Sequence, residues 1–177
     1  MSYFAYWWVT SAKVKRSERR ESFFSRLVRL VFMLSAISLL ALPRVPLPIL
    51  STRFLPQSEW CFWGGGLITA AGLVFSAWAR RQLGANWSQA VTIKEDHDLI
   101  TRGPYALVRH PIYSGLLLAL VGSAVARGEW RGLLAVVLVF LVLWHKLRLE
   151  EKWLRAHFGD SYDAYARRVA ALVPHLF

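Results

Sequence analysis

The sequence has a single cysteine, Cys61, so neither an intrachain disulfide nor a cysteine-bound zinc or iron-sulfur cluster can hold the chain together. Cys61 sits among Trp60, Phe62 and Trp63 at the mouth of an apolar run, where a small buried filler is expected. Acidic residues are scarce, 11 against 22 Lys and Arg, and charged residues of every kind reach only 19% while hydrophobic ones make up 55%. That balance is too apolar for an ordinary soluble globule of 177 residues and points to segments that face lipid. The order of a cleavable signal is missing as well, because Met1 to Ala12 is aromatic from its start and the basic cluster follows it. No signal peptide is therefore expected, and Met1 to Ala12 reads as an interfacial helix or a partial span.

A net charge of +11 in a soluble protein would raise nucleic acid as a partner first. Here the basic residues lie between apolar runs, where they set orientation and meet anionic headgroups of membrane lipids. Nucleic-acid binding is not expected, nor is a metal site.

Three apolar stretches stand out: Phe23 to Leu42, Trp60 to Ala79, and the pair Ile112 to Ala126 and Leu133 to Trp144. A hydrocarbon core of about 30 Å needs about 20 helical residues, which the first two supply. The last pair is split by Arg127-Gly128-Glu129-Trp130-Arg131-Gly132 and reads as a helical hairpin, its second arm running on without Pro or Gly to Phe158. Gly64, Gly65, Gly66 and Gly72 inside the second stretch read as close helix packing. The expected fold is an all-α integral membrane protein with about four transmembrane helices and a C-terminal helical hairpin. Residues 1–79 form an N-terminal membrane region of a short helix plus two spans, and 80–177 form the region carrying the chemistry.

Lys and Arg number 7 in Lys13 to Arg29, 5 in Arg80 to Arg109 and 6 in Lys146 to Arg168, leaving only Arg44, Arg53, Arg127 and Arg131 for the opposite side. This asymmetry places the first three segments in the cytosol. Trp60 and Trp63, Trp78, Trp130 and Trp144 mark the span ends.

Two polar clusters fall on the cytosolic side. In His97 to Tyr113, Pro111 is placed as the first helical residue with His110 capping it, so free amides and the positive dipole end would meet the cytosol. Taken alone, Arg109, His110 and Tyr113 read first as interfacial anchors, as such residues are at many span ends. On the extension of the last helix, Lys146 shares a face with Glu150, and Glu151 with Arg155. A solvated, salt-bridged helix is one account of that cluster. Two carboxylates that accept ribose hydroxyls or balance a cationic ligand are another, and the hairpin brings them beside His110. Further on, Asp160 is placed as the cap of a short helix over Phe158 to Val169, with Tyr162 and Tyr165 on one face.

His97-x-Leu99-Ile100-x-x-Gly103-x-Tyr105, Arg109-His110-Pro111-x-Tyr113-x-Gly115, Glu150-Glu151, Phe158-Gly159-x-x-Tyr162-x-x-Tyr165, Arg168-Val169 and Pro174 follow one another in order. Together they resemble the isoprenylcysteine carboxyl methyltransferase family, with its relatives the phospholipid methyltransferases. The likeness covers about the last 80 residues, with Leu83-Gly84 and Asn86-Trp87-Ser88 as a weaker echo of bacterial members. The family's Arg-Val-Pro reads Arg168-Val169-Ala170 here.

The resemblance implies a cytosolic cofactor pocket for S-adenosyl-L-methionine, roofed by the C-terminal tail. His97, Asp98, Leu99 and Ile100 would line it largely through backbone, Tyr105 would close one side, and His110, Pro111, Ile112 and Tyr113 would meet the cofactor at the helix start. Glu150 is the carboxylate assigned to the cofactor. Lys146 and Arg168 are the basic groups assigned to the acceptor's carboxylate. The implied activity is carboxyl methylation of an isoprenylcysteine or similar membrane-embedded, lipid-like acceptor, which needs no strong base because a carboxylate is already ionised at neutral pH. A phospholipid amine or a small thiol is the alternative acceptor, and a non-catalytic scaffold or carrier is the rival of a different class.

Overall fold

The computed structural model describes residues 23–42, 46–84, 99–174 and 176. Met1 to Ala12, the Asn86-Trp87-Ser88 stretch, His97 and Asp98 lie outside the described residues. The elements in chain order are α1 (Phe23–Ala41), a 3-10 turn (Pro48–Ser51), α2 (Glu59–Leu83), a second 3-10 turn (Gly103–Ala106), α3 (Pro111–Arg127), α4 (Trp130–Phe158) and α5 (Asp160–Arg168). Every regular element among the described residues is helical, as expected.

Helices α2 and α4 are long and apolar enough to cross a bilayer, and two shorter apolar helices, Leu27–Ala41 and Pro111–Arg127, accompany them. On α2 the side chains of Trp60, Trp63, Leu67 and Val74 are all more than two-thirds exposed. Such an apolar helix face is stable in lipid rather than in water.

Ser58 starts α2 by accepting the Cys61 amide at 3.2 Å. Cys61 itself is half-buried, not the fully buried filler expected, because the first turn of α2 lies outside the tight helix contact. The hairpin forms where the sequence places it: Gly128 takes a left-handed φ of 68° and its amide closes on the Ala124 carbonyl at 2.8 Å, ending α3.

Small residues set the tightest contact. A Cβ added at Gly65 would lie 2.5 Å from the Gly122 carbonyl, and one at Gly72 would lie 2.5 Å from that of Gly115. The backbones of α2 and α3 therefore touch along Gly65, Thr69, Gly72 and Ser76 on one side and Gly115, Ala119, Gly122 and Ala126 on the other. Thr69 reinforces the seam by donating to the Ala119 carbonyl at 3.2 Å. Gly64 and Gly66 face open space, so the packing role expected of all four α2 glycines belongs to Gly65 and Gly72.

Helix α4 packs on α3 on one side and on α1 on the other. At the hairpin tip Arg127 and Arg131 each donate at 2.7 Å to the end of α1, to the Leu40 and Leu42 carbonyls respectively, while Glu129 sits between the two guanidinium groups. These contacts make α1 antiparallel to α4 and satisfy carbonyls that a helix end otherwise leaves bare. The core joins Ala36 of α1 to Ala135, Val139, Leu143 and Leu147 of α4, to Tyr113, and to Ala171 and Leu172 of the tail.

Candidate functional site

The site lies where α3 begins and α4 outruns it. Pro111 occupies the first turn of α3 with His110 at the cap position, as its fixed φ favours. His110 makes no side-chain capping bond, which leaves its ring available for contacts across the hairpin.

The tail folds back over this helix start. The Arg109 and His110 amides donate to the Ala170 and Ala171 carbonyls at 2.8 and 3.0 Å, and Val108 bridges Ala170 in parallel. Ser114 donates to the Leu172 carbonyl, and Tyr165 donates to the Tyr105 carbonyl at 2.6 Å. Gly159, at φ 52°, turns the chain from α4 into α5. Because Gly159 makes that turn, it takes the cap position expected of Asp160, and Asp160 and Asp163 fall in the first turn of α5. Tyr162 and Tyr165 are both buried on one face of α5, as their spacing predicts. Burial pushes the Tyr165 phenol up to about 12, with Arg109 opposing and Glu151 adding to the effect.

The two adjacent carboxylates part company. Glu151 accepts from Arg109 Nε at 2.8 Å and pairs with Nη2 at 2.7 Å, both side chains being nearly buried. The same guanidinium donates to the Ala166 and Val169 carbonyls, so this pair ties α4 to α5 and the tail. Arg155 lies 3.7 Å from Glu151 and 3.1 Å from Asp163.

Glu150 faces the helix start instead. Tyr113 Oη lies 2.7 Å from each of its oxygens, Lys146 Nζ lies 3.6 Å away, and His110 Nδ1 is also at 3.6 Å. The Lys146 ammonium stands 5.3 Å above the Tyr113 ring, and the His110 and Tyr113 rings stack with centroids 5.5 Å apart. His110 Nε2 is buried and lies 3.4 Å from Glu151 without the geometry of a hydrogen bond. The Glu150 side chain is 21% exposed against 5% for Glu151, so it is the more open of the pair.

The structure thus brings His110, Tyr113, Lys146 and Glu150 together. Tyr105 is buried beneath the tail, Pro111 is buried in the helix start, and Ile112 packs on the core. Leu99 and Ile100 are half-buried at the entry to the 3-10 turn Gly103–Ala106, while His97 and Asp98 lie outside the described residues. Arg168 is not drawn into the cluster: its side chain is exposed and donates to the Ala164 carbonyl of its own helix at 3.2 Å. Sequence reasoning left out the Arg109–Glu151 pair as an organising element. The signal was present, because consecutive helical residues point about 100° apart and their carboxylates turn to different neighbours.

The sequence model of the phospholipid methyltransferase family matches residues 60–161. The chain belongs to that family. A protein-S-isoprenylcysteine O-methyltransferase of Schizosaccharomyces pombe is 36% identical over 99 residues, covering 52% of this chain and 41% of that protein. Methanethiol S-methyltransferase 2 of Bradyrhizobium diazoefficiens is 43% identical over 74 residues, 41% of this chain and 27% of its own length. Among solved structures, the eukaryotic intramembrane Ras methyltransferase isoprenylcysteine carboxyl methyltransferase superposes with a TM-score of 0.62 at 21% identity, covering 86% of this chain and 52% of the other. The fold is shared with that enzyme, and the resemblance read from the motifs is borne out. The chain spans between 41% and 62% of the length of the isoprenylcysteine methyltransferases it matches in S. pombe and Arabidopsis thaliana.

Proposed function

We propose that this chain transfers the methyl group of S-adenosyl-L-methionine to the carboxylate of an isoprenylated cysteine or a similar amphiphile held in the membrane. The observation that carries the reading is the convergence of Tyr113, His110 and Lys146 on Glu150 at the mouth of an apolar hairpin. The donor set fits the cofactor. Glu150 keeps lone pairs for ribose hydroxyls or an ammonium, and the buried, unbonded His110 Nε2 supplies a further polar contact. When bound, the cofactor supplies an activated methyl on a sulfonium. Lys146 orients the acceptor's carboxylate, Tyr113 and Glu150 hold the cofactor, and the tail with Tyr105 and Tyr165 excludes water.

On this reading residues 80–177 carry the chemistry, with Leu99, Ile100, Pro111 and Ile112 lining the cofactor's seat and residues 1–79 anchoring it in the membrane. The basic asymmetry supports a multi-pass topology with the site facing the cytosol. Arg168, on the exposed side of α5, meets the acceptor's carboxylate only as it enters.

A small thiol is the second acceptor class, favoured by the likeness to methanethiol S-methyltransferase 2. Detergent-purified protein, incubated with labelled cofactor and a lipid extract, a farnesylcysteine or a small alkanethiol, decides between them. A base-labile methyl ester is expected. Label appearing only in base-stable thioether or methylamine would overturn the carboxyl reading.

A further inference from the structure

Tyr162 and Tyr165 share the buried face of α5, and the fold uses them unequally. Tyr165 Oη donates to the Tyr105 carbonyl at 2.6 Å. Tyr162 is 1% exposed, and its buried hydroxyl has no hydrogen-bond partner among the described residues. A buried hydroxyl left unpaired lowers stability, so it calls for a state of the molecule in which it is satisfied.

The acceptor beside it is Glu151. Arg155 stands 5.7 Å above the Tyr162 ring and 3.7 Å from Glu151 Oε2, which sets ring and carboxylate side by side. Burial first, and the Glu151 charge next, push the Tyr162 phenol up from its ordinary value. The carboxylate has room for a donor on that side. Its Oε1 takes both Arg109 contacts and faces His110 Nε2 at 3.4 Å, whereas Oε2 meets Arg155 at 3.7 Å, beyond hydrogen-bond length. Oε2 can therefore accept a phenol without displacing Arg109.

The backbone allows the approach. Gly159, at φ 52°, joins α4 to α5, and a Cβ added there would meet nothing within 4 Å. Tyr165 and the Ala170 and Ala171 carbonyls hold the far end of α5 and the tail. A small tilt of the first turn, taken up at Gly159, brings Tyr162 towards α4 while Tyr165 stays bonded.

We infer that α5 is a lid held half-closed in the free protein, and that Tyr162 is a positioning residue which donates to Glu151 when the cofactor seat is filled. The inference rests on the methyltransferase reading above. His110 stands between the two carboxylates, 3.6 Å from Glu150 and 3.4 Å from Glu151, so a cofactor that engages Glu150 and His110 also fixes the surface on which α5 closes. The Tyr162 bond forms in the filled state alone. It adds to cofactor affinity and not to the stability of the empty fold.

Detergent-purified Tyr162→Phe and Tyr165→Phe separate the two roles by melting temperature without cofactor and by calorimetry with S-adenosyl-L-methionine. Tyr162→Phe should melt at the wild-type temperature or above it, because it removes an unpaired buried hydroxyl, yet bind the cofactor about tenfold more weakly for want of one bond to a charged group. Tyr165→Phe, which loses a bond present in the empty fold, should melt lower. A lowered melting temperature in Tyr162→Phe would show its hydroxyl already bonded in the empty fold and would overturn the lid, as would an unchanged cofactor affinity in that variant. A wild type that binds no S-adenosyl-L-methionine would instead sink the methyltransferase reading, and the lid with it.

Discussion

Arg109→Gln tests whether the tail is latched by one guanidinium. In the wild type that group bonds Glu151 at 2.8 and 2.7 Å and also serves the Ala166 and Val169 carbonyls. Both side chains of the pair are nearly buried, 10% and 5% exposed. Removing one partner leaves a buried carboxylate with Arg155, half exposed, 3.7 Å away and His110 Nε2 at 3.4 Å. Breaking a buried pair in this way costs about 3 to 5 kcal/mol. At the lower figure the tail opens about a hundredfold more often, since each 1.4 kcal/mol is a factor of ten. Hydrogen exchange reads that opening at the Arg109 and His110 amides, which are bonded to the Ala170 and Ala171 carbonyls. Exchange at His110 should quicken by about two orders of magnitude in Arg109→Gln. The exposed pair Arg155 and Asp163 is the control, and Arg155→Gln should change exchange by less than about fivefold, as exposed ion pairs contribute under 1 kcal/mol. Equal acceleration in both variants, or none at Arg109→Gln, would refute the latch.

Gly72→Val should destabilise the protein severely, because its Cβ would meet α3 backbone at 2.5 Å, whereas Gly64→Ala and Gly66→Ala should be nearly silent; thermal unfolding in detergent compares the three. Glu150→Gln should weaken cofactor binding by roughly tenfold to a hundredfold, as loss of a charge-assisted contact does, while Lys146→Met should mainly lower turnover; calorimetry and steady-state kinetics separate the two effects. Tyr165 titrates near 12 in the fold against 10.0 when free, so the stability it lends is complete below pH 10 and is lost as pH rises towards 12. Melting temperature should therefore fall more steeply over that interval in the wild type than in Tyr165→Phe.

The parts of this molecule governed by local rules were legible from residues alone. The apolar helices came from hydrophobic runs, the hairpin from Arg127 to Gly132, and the start of α3 from Pro111, although only α2 and α4 of the expected four spans are long and apolar enough among the described residues to cross a bilayer. What was not legible depends on which side of a helix meets which neighbour. Nothing local distinguishes Gly65 from Gly64, yet only the former presses on α3. Arg168 offered the right charge for an acceptor, but the turn at Gly159 and the run of α5 leave it facing out.

The Glu150-Glu151 pair shows why both kinds of information are needed. Residues one apart on a helix diverge by about 100°, so one carboxylate turns to Arg109 and the tail while the other turns to Tyr113 and Lys146. Exchanging their duties would require α4 to rotate about its axis, which Ala135 and Gly132, pressed against α3 and α1, do not permit. A carboxylate that closes the tail and one that faces the pocket are thus set a fixed angle apart on one rigid helix. On the proposed function, closure of the tail and seating of the cofactor are coupled through α4, so Arg109→Gln should weaken cofactor binding although Arg109 reaches Glu151 rather than Glu150.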